Sequence, residues 1–112
     1  MSVYIKNLGL GLLTTASSTT IGPGAAKAWI VKGIVLTNRD AVARGITVQV
    51  TNGAGSPTTA LIAPTAMSIP PSTTVVLDTE ITLRNPEGLI LTLPVAATTG
   101  VDYVINGLER DV

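Results

Sequence analysis

The stretch 28–50 constrains the fold of this chain more than any other part of the sequence. It contains two runs rich in β-branched residues, 28–37 and 46–50, which are joined by a polar connection. The first run carries apolar residues on both faces and is broken by Lys32 and Gly33, so we predict a central strand that is covered on both sides. We expect it to pair with the second run through a hairpin loop. That second run alternates apolar and polar residues, which is typical of a strand with one buried face, and its apolar members are Ile46, Val48 and Val50.

The rest of the chain repeats short apolar runs between Gly- and Pro-containing turns, such as 52–57 and 84–88. No window keeps a helical period over eleven residues. Six to eight short strands are therefore predicted, in an all-β antiparallel sandwich or jelly roll. Residues 1–15 contain Gly9 and Gly11, and we expect them to form an N-terminal arm or strand that lies against something. Residues 16–112 are expected to form a single β-sandwich domain.

Charged residues are scarce and balanced in this chain. Seven basic and seven acidic residues make up 12% of the sequence, against a typical share of about 25%. Such a surface lacks the electrostatic signature of a nucleic-acid or membrane partner, and its small net charge favours association of copies. The apolar run 8–13 is too short for a spanning helix or a signal peptide, and without cysteine no disulfide is available. We therefore expect a homo-oligomer, with a trimer as the working guess.

An enzyme is the weakest hypothesis, because the chain has no histidine and shows no nucleophile motif beside its many hydroxyl groups. Asp78 and Glu80 are two residues apart and could form a carboxylate pair on one strand face, but the favoured interpretation is that both lie at a solvated strand end. A weak calcium site could use the acids near the C-terminus, but their spacing matches no calcium loop. These acids are Asp102, Glu109 and Asp111. No catalytic, metal-binding or cofactor-binding residue is therefore expected.

Partner contacts are expected from three places in the sequence. The N-terminal segment supplies apolar residues, the single tryptophan is interpreted as core or interface, and two arginines lie in the polar connection after the first long strand. The candidate partner contacts are Tyr4, Ile5, Leu8, Leu10, Trp29, Arg39 and Arg44.

Four short motifs in this order resemble small β-sandwich virion proteins of tailed bacteriophages. They are Ile-Val-Leu-Thr-Asn at 34–38, Ile-Pro-Pro-Ser-Thr-Thr-Val-Val-Leu at 69–77, Ile-Thr-Leu at 81–83, and Tyr-Val-Ile-Asn-Gly-Leu-Glu at 103–109. The resemblance covers about residues 28 to 109 and brings no catalytic residue with it. The turn at 84–88 departs from the tighter Gly-Asp turn of the pattern.

The resemblance implies a structural protein of the virion, most simply a capsid decoration (cement) protein. Such a protein would be assembled in the host cytoplasm, bind the outer shell beside the major capsid protein and stabilise contacts between shell subunits. The alternative is a tail, fibre or adhesin-type module that recognises a host surface, although three aromatic residues are few for glycan binding. A hydrolase that uses Asp78 and Glu80 is the third hypothesis.

Overall fold

The computed structural model describes residues 3–53 and 58–112 of the chain. Met1 and Ser2 of the predicted arm and residues 54–57 of the predicted turn lie outside this part. The described residues form ten strands: β1 (Val3–Leu13), β2 (Ser18–Ile21), β3 (Lys27–Asn38), β4 (Arg44–Thr51), β5 (Thr59–Leu61), β6 (Met67–Ile69), β7 (Thr74–Leu77), β8 (Ile81–Arg84), β9 (Gly88–Thr92) and β10 (Val101–Asp111).

The strands form two antiparallel sheets that pack face to face. Sheet 1 has the order β1-β10-β3, with β7 and β8 both paired to the far edge of β3. Sheet 2 has the order β2-β9-β4, with β5 and β6 both paired to the far edge of β4. Strands β1 to β4 alternate between the two sheets. Strand β9 then pairs beside β2 and β10 beside β1, which is the strand order of a jelly roll. The predicted all-β antiparallel sandwich is confirmed.

Period-2 alternation places the core between the two sheets. The leucines of β9 and the residue just beyond it, Leu89, Leu91 and Leu93, are buried, and their alternate neighbours Ile90 and Thr92 are half-buried on the other side. Strand β4 repeats this arrangement with Ile46 and Val48. They meet a facing set from sheet 1 that is buried at 0% exposure: Val31, Ile34, Leu36, Val101 and Ile105.

Strand β3 is central, as predicted, because it lies between β10 and the pair β7 and β8. The predicted hairpin between β3 and β4 is wrong, since the two strands belong to different sheets. The prediction of cover on both sides also fails within one subunit: the side of β3 that faces away from the core, with Ile30 and Val35, is half-buried.

A buried carboxylate at residue 40 anchors the connection that crosses from β3 to β4. Asp40 is 1% exposed, and its oxygens accept hydrogen bonds from the backbone N–H groups of Thr98, Thr99 and Gly100, at 3.1, 2.5 and 3.2 Å. The Arg44 Nε donates to it at 2.6 Å. These bonds tie the connection after β3 to the loop before β10.

The N-terminal segment is a strand of sheet 1. Strand β1 pairs with β10 from Val3 to Leu13, with an irregularity between Asn7 and Gly9. Leu8 and Leu13 are 8% and 7% exposed and belong to the core. Strand β1 is therefore part of the sandwich and not a separable arm.

Candidate functional site

The outward surface of sheet 1 carries apolar side chains across four strands. The strand register aligns one row from β1 through β10 and β3 to β7, made of Leu10, Val104, Val35 and Val76. A second row passes from β1 to β3, made of Ile5, Leu108 and Ile30, and continues to Thr82 on β8. We call these seven apolar residues, together with Leu12, the apolar face.

Much of the apolar face is open to solvent in a single subunit. Ile5 is 87% exposed, Leu10 is 69% exposed and Val76 is 61% exposed. The residues between them on β3 and β10 are half-buried by their own neighbours. Contiguous exposed apolar surface of this kind marks an interaction site on a folded protein, whereas single exposed apolar residues do not.

The outward surface of sheet 2 is polar by comparison. Its aligned row from β2 through β9 to β4 is Ser18, Thr92 and Thr47, and the Ser18 and Thr92 hydroxyl oxygens lie 2.9 Å apart. The next row mixes polar and apolar residues, namely Thr20, Ile90, Gln49 and the 52% exposed Leu61. Gln49 also donates to the hydroxyl of Thr59 at 3.2 Å. The two sheets thus share a core but differ in their outward chemistry, which singles out sheet 1 as the candidate interface.

A polar cluster closes the end of sheet 1 next to the apolar face. Trp29 is 5% exposed, and its indole N–H donates to Glu109 Oε1 at 2.9 Å. Lys6 Nζ lies 3.2 Å from the second oxygen, Oε2. The Trp29 hydrogen bond lowers the pKa of Glu109 against the opposing effect of burial. Lys27 lies beside Trp29 and Glu109 in this cluster. Its hydrogen bond with Asp111, and to a smaller extent its hydrogen bond with Tyr4, raises the pKa of Lys27 to about 12.

The candidate contacts from the N-terminal segment fall on both sides of β1. Ile5 and Leu10 lie on the apolar face, and Tyr4 is 37% exposed beside the polar cluster, where its hydroxyl accepts from Lys27 at 3.3 Å. Leu8 is corrected, because the strand irregularity turns its side chain into the core. It cannot contact a partner without unfolding the edge of the sheet.

The remaining candidate contacts are mostly committed within the subunit. Trp29 is a core residue and not a surface contact, because Glu109 and the core enclose it. Arg44 is held by the buried Asp40, which removes it as a contact candidate. Arg39 is exposed and pairs with Asp102 at 2.5 Å, at the opposite end of sheet 1 from the polar cluster.

The acidic residues do not assemble into a reactive group in the described part of the chain. Glu80 pairs with Lys32 at 3.1 Å, and Asp78 is exposed near it. Asp102 lies at the start of β10, far along the strand from Glu109 and Asp111, and each of the three is in an ion pair. Over residues 3–53 and 58–112 no cluster of three potential metal ligands is found, nor a helix of the length and apolarity needed to cross a membrane.

Sequence reasoning missed the half of the apolar face that β3 and β10 supply. The residues in question are Ile30, Val35, Val104 and Leu108. The sequence did indicate them in part, because the apolar pattern on both sides of β3 predicts that its outward side is also buried against another surface. The interpretation assigned that cover to the same chain, whereas the structure leaves it open.

Neither a protein-family model nor a curated protein matches the sequence. Among solved structures, the chain is similar to the core of the Drosophila protein NLP, with 18% sequence identity and a TM-score of 0.51. The similarity covers 96% of this chain and 98% of the NLP core, a structure described as giving insight into pentamer formation and histone binding.

This neighbour corrects the expected function and location. A capsid decoration protein, a host-binding fibre module and a place in the virion are wrong, because the protein that shares the fold is a histone-binding core and not a virion component. The trimer and the major capsid protein as partner have no support either. At 18% identity, what the two chains are shown to share is the β-sandwich fold.

Proposed function

We propose that this chain is a non-enzymatic structural subunit that assembles with copies of itself through the apolar face. The observation that carries this proposal is the pair of aligned apolar rows on the outward side of sheet 1. Burying such rows is favourable at about 25 cal/mol for each Å² of apolar surface removed from water. The even balance of seven acids and seven bases supports the same proposal, since copies with no net charge do not repel one another.

Five copies in a closed ring are the expected assembly. The support is the fold shared with the NLP core, for which pentamer formation is described. A non-enzymatic role is supported by the chemistry of the chain, which has no histidine or cysteine and whose described acids are mostly held in ion pairs.

Sedimentation velocity or light scattering of the purified chain tests this proposal. We expect the unmodified chain to form a particle of about five subunits. Leu10→Arg is expected to weaken association at least about tenfold, because a charge would replace a leucine that the proposed assembly buries. Leu61→Arg is the matched control, since Leu61 is a similarly exposed leucine, 52% exposed, on sheet 2. A monomeric chain, or equal loss of assembly in both variants, would contradict the proposal.

Histone binding is a second candidate function, and the shared fold with the NLP core is the observation that favours it. It ranks below self-assembly because five of the seven acidic residues are neutralised by ion pairs, so the surface offers little negative field to a basic partner. Titration with purified core histones at physiological salt tests it. Saturable binding would support this function.

A further inference from the structure

The apolar face contains a groove with two arginines on its rim. The groove has a volume of about 270 Å³ and lies over β8, β3 and β10, with Ile30 and Leu108 among its lining residues. The strand register places Ala28 directly between Arg84 and Arg110, which border the same groove. A ligand that fits this lining would combine an apolar side chain with a carboxylate, because arginine binds carboxylates through two parallel hydrogen bonds.

Two charged residues beside the proposed contact lie outside the ion pairs of the described residues. Within residues 3–53 and 58–112, five ion pairs join basic to acidic side chains, and neither Arg84 nor Asp78 takes part in any of them. Asp78 is exposed and follows β7 directly, at the open edge of sheet 1. A carboxylate and a guanidinium group are thus both available for a contact between subunits.

The exposed apolar residues of the chain identify the segment that fits the groove. In the described part these are Tyr4, Ile5, Leu10, Leu12, Val42, Leu61, Val76, Val95 and Val112. Of these residues, Val76 has an acidic residue within two positions, Asp78, that takes part in none of the ion pairs of the described residues. Because side chains of an extended strand alternate, Val76 and Asp78 project to the same side.

We propose that the segment 76–78 of a neighbouring copy occupies the groove, with Val76 against Ile30 and Leu108, and Asp78 between Arg84 and Arg110. This inference rests on the proposed self-assembly and specifies its contact. The segment and the groove are different patches of one subunit, so the contact is heterologous, and each subunit uses both patches. Heterologous contacts form a ring when the rotation between subunits closes, which is the case that the proposed five-subunit assembly requires.

Charge reversal tests the contact in the full chain. We expect Asp78→Arg and Arg84→Asp each to raise the dissociation constant of the assembly at least about tenfold, because each places like charges together at the contact. The double variant restores opposite charges at positions 78 and 84 but leaves Arg110 beside an arginine, so we expect it to associate at least about threefold more tightly than either single variant without full recovery. Thr59→Arg is the matched control, since it adds an arginine at an exposed position of the edge strand β5 in sheet 2.

The possible outcomes separate this inference from the proposal on which it rests. If the unmodified chain is monomeric in sedimentation, both fail. If it assembles but the single variants associate like the control, or the double variant is no better than the single ones, the groove has a different occupant and self-assembly stands. Far-ultraviolet circular dichroism establishes that each variant is folded, so a lost assembly is not mistaken for a lost fold.

Discussion

Trp29 and Glu109 show how one hydrogen bond lets a carboxylate stay in the core. Glu109 is 8% exposed, and the indole N–H of Trp29 and the ammonium group of Lys6 serve its two oxygens. A buried charge without partners is costly, so the tryptophan contributes both apolar area and a donor. Substitutions that remove these two contributions separately should have different costs.

Trp29→Phe is expected to lower the free energy of unfolding by about 1–3 kcal/mol, because it leaves Glu109 short of a donor while keeping most of the apolar volume. Trp29→Ala is expected to cost about 3–5 kcal/mol, since it also opens a cavity. Urea unfolding followed by circular dichroism measures both. Equal costs for the two variants would show that the hydrogen bond contributes nothing.

At the scale of elements, β1 serves the core and the apolar face at once. Its irregularity between Asn7 and Gly9 turns Leu8 inward, while Ile5 and Leu10 remain outside. Gly11 leaves room for the ring of Tyr103, since an added Cβ would lie 2.6 Å from the Tyr103 hydroxyl oxygen and would displace the ring. The strand is therefore a structural element of the sandwich as well as part of the apolar face.

Leu8→Ala is expected to destabilise the chain by about 2–4 kcal/mol, because it removes a buried side chain from the core. Asn7→Ala is the neighbouring control, and its exposed position predicts a change within about 0.5 kcal/mol. Chemical denaturation compares the two. If Leu8→Ala unfolds at the same denaturant concentration as the control, β1 does not contribute to the core.

For the whole molecule, the pH dependence of stability follows from two buried carboxylates. Burial opposes ionisation of Asp40, but the N–H donors of the 98–100 loop and the Arg44 guanidinium outweigh it and hold the pKa of Asp40 well below its usual range. The pKa of Glu109 is lowered as well. Below about pH 4.5 these carboxylates bind protons in the unfolded chain but stay ionised in the folded chain, so the free energy of unfolding decreases as the pH falls.

We therefore expect a melting temperature that is nearly constant from about pH 6 to 9, where the chain has no histidine to titrate. The melting temperature is expected to decrease once the pH is lower than about 4.5. Asp40→Asn should lower the melting temperature at neutral pH by about 8 °C or more, and should flatten the acid decline. Glu80→Gln, which removes an exposed ion pair, should change little. Thermal melts across this pH range measure all three proteins, and an equally steep acid decline in Asp40→Asn would contradict this origin.

The amino-acid sequence by itself determined the strands, because the period-2 alternation of β4, β9 and β10 and the Pro and Gly turns are local properties. It also determined that β3 lies in the middle of a sheet and is apolar on both sides. Composition alone led to the hypothesis that a neutral chain with few charges associates with copies of itself.

Only the tertiary structure decided which strands pair and which apolar surfaces stay open. The crossing after β3 is anchored by donors at 98–100 that lie 58–60 residues from Asp40, a distance at which no local pattern reports a contact. For the same reason the sequence could not tell that Leu8 is buried while Leu10 is exposed, or that Arg84 and Arg110 flank Ala28. Such juxtapositions arise from sheet register, which is settled by the packing of the whole core.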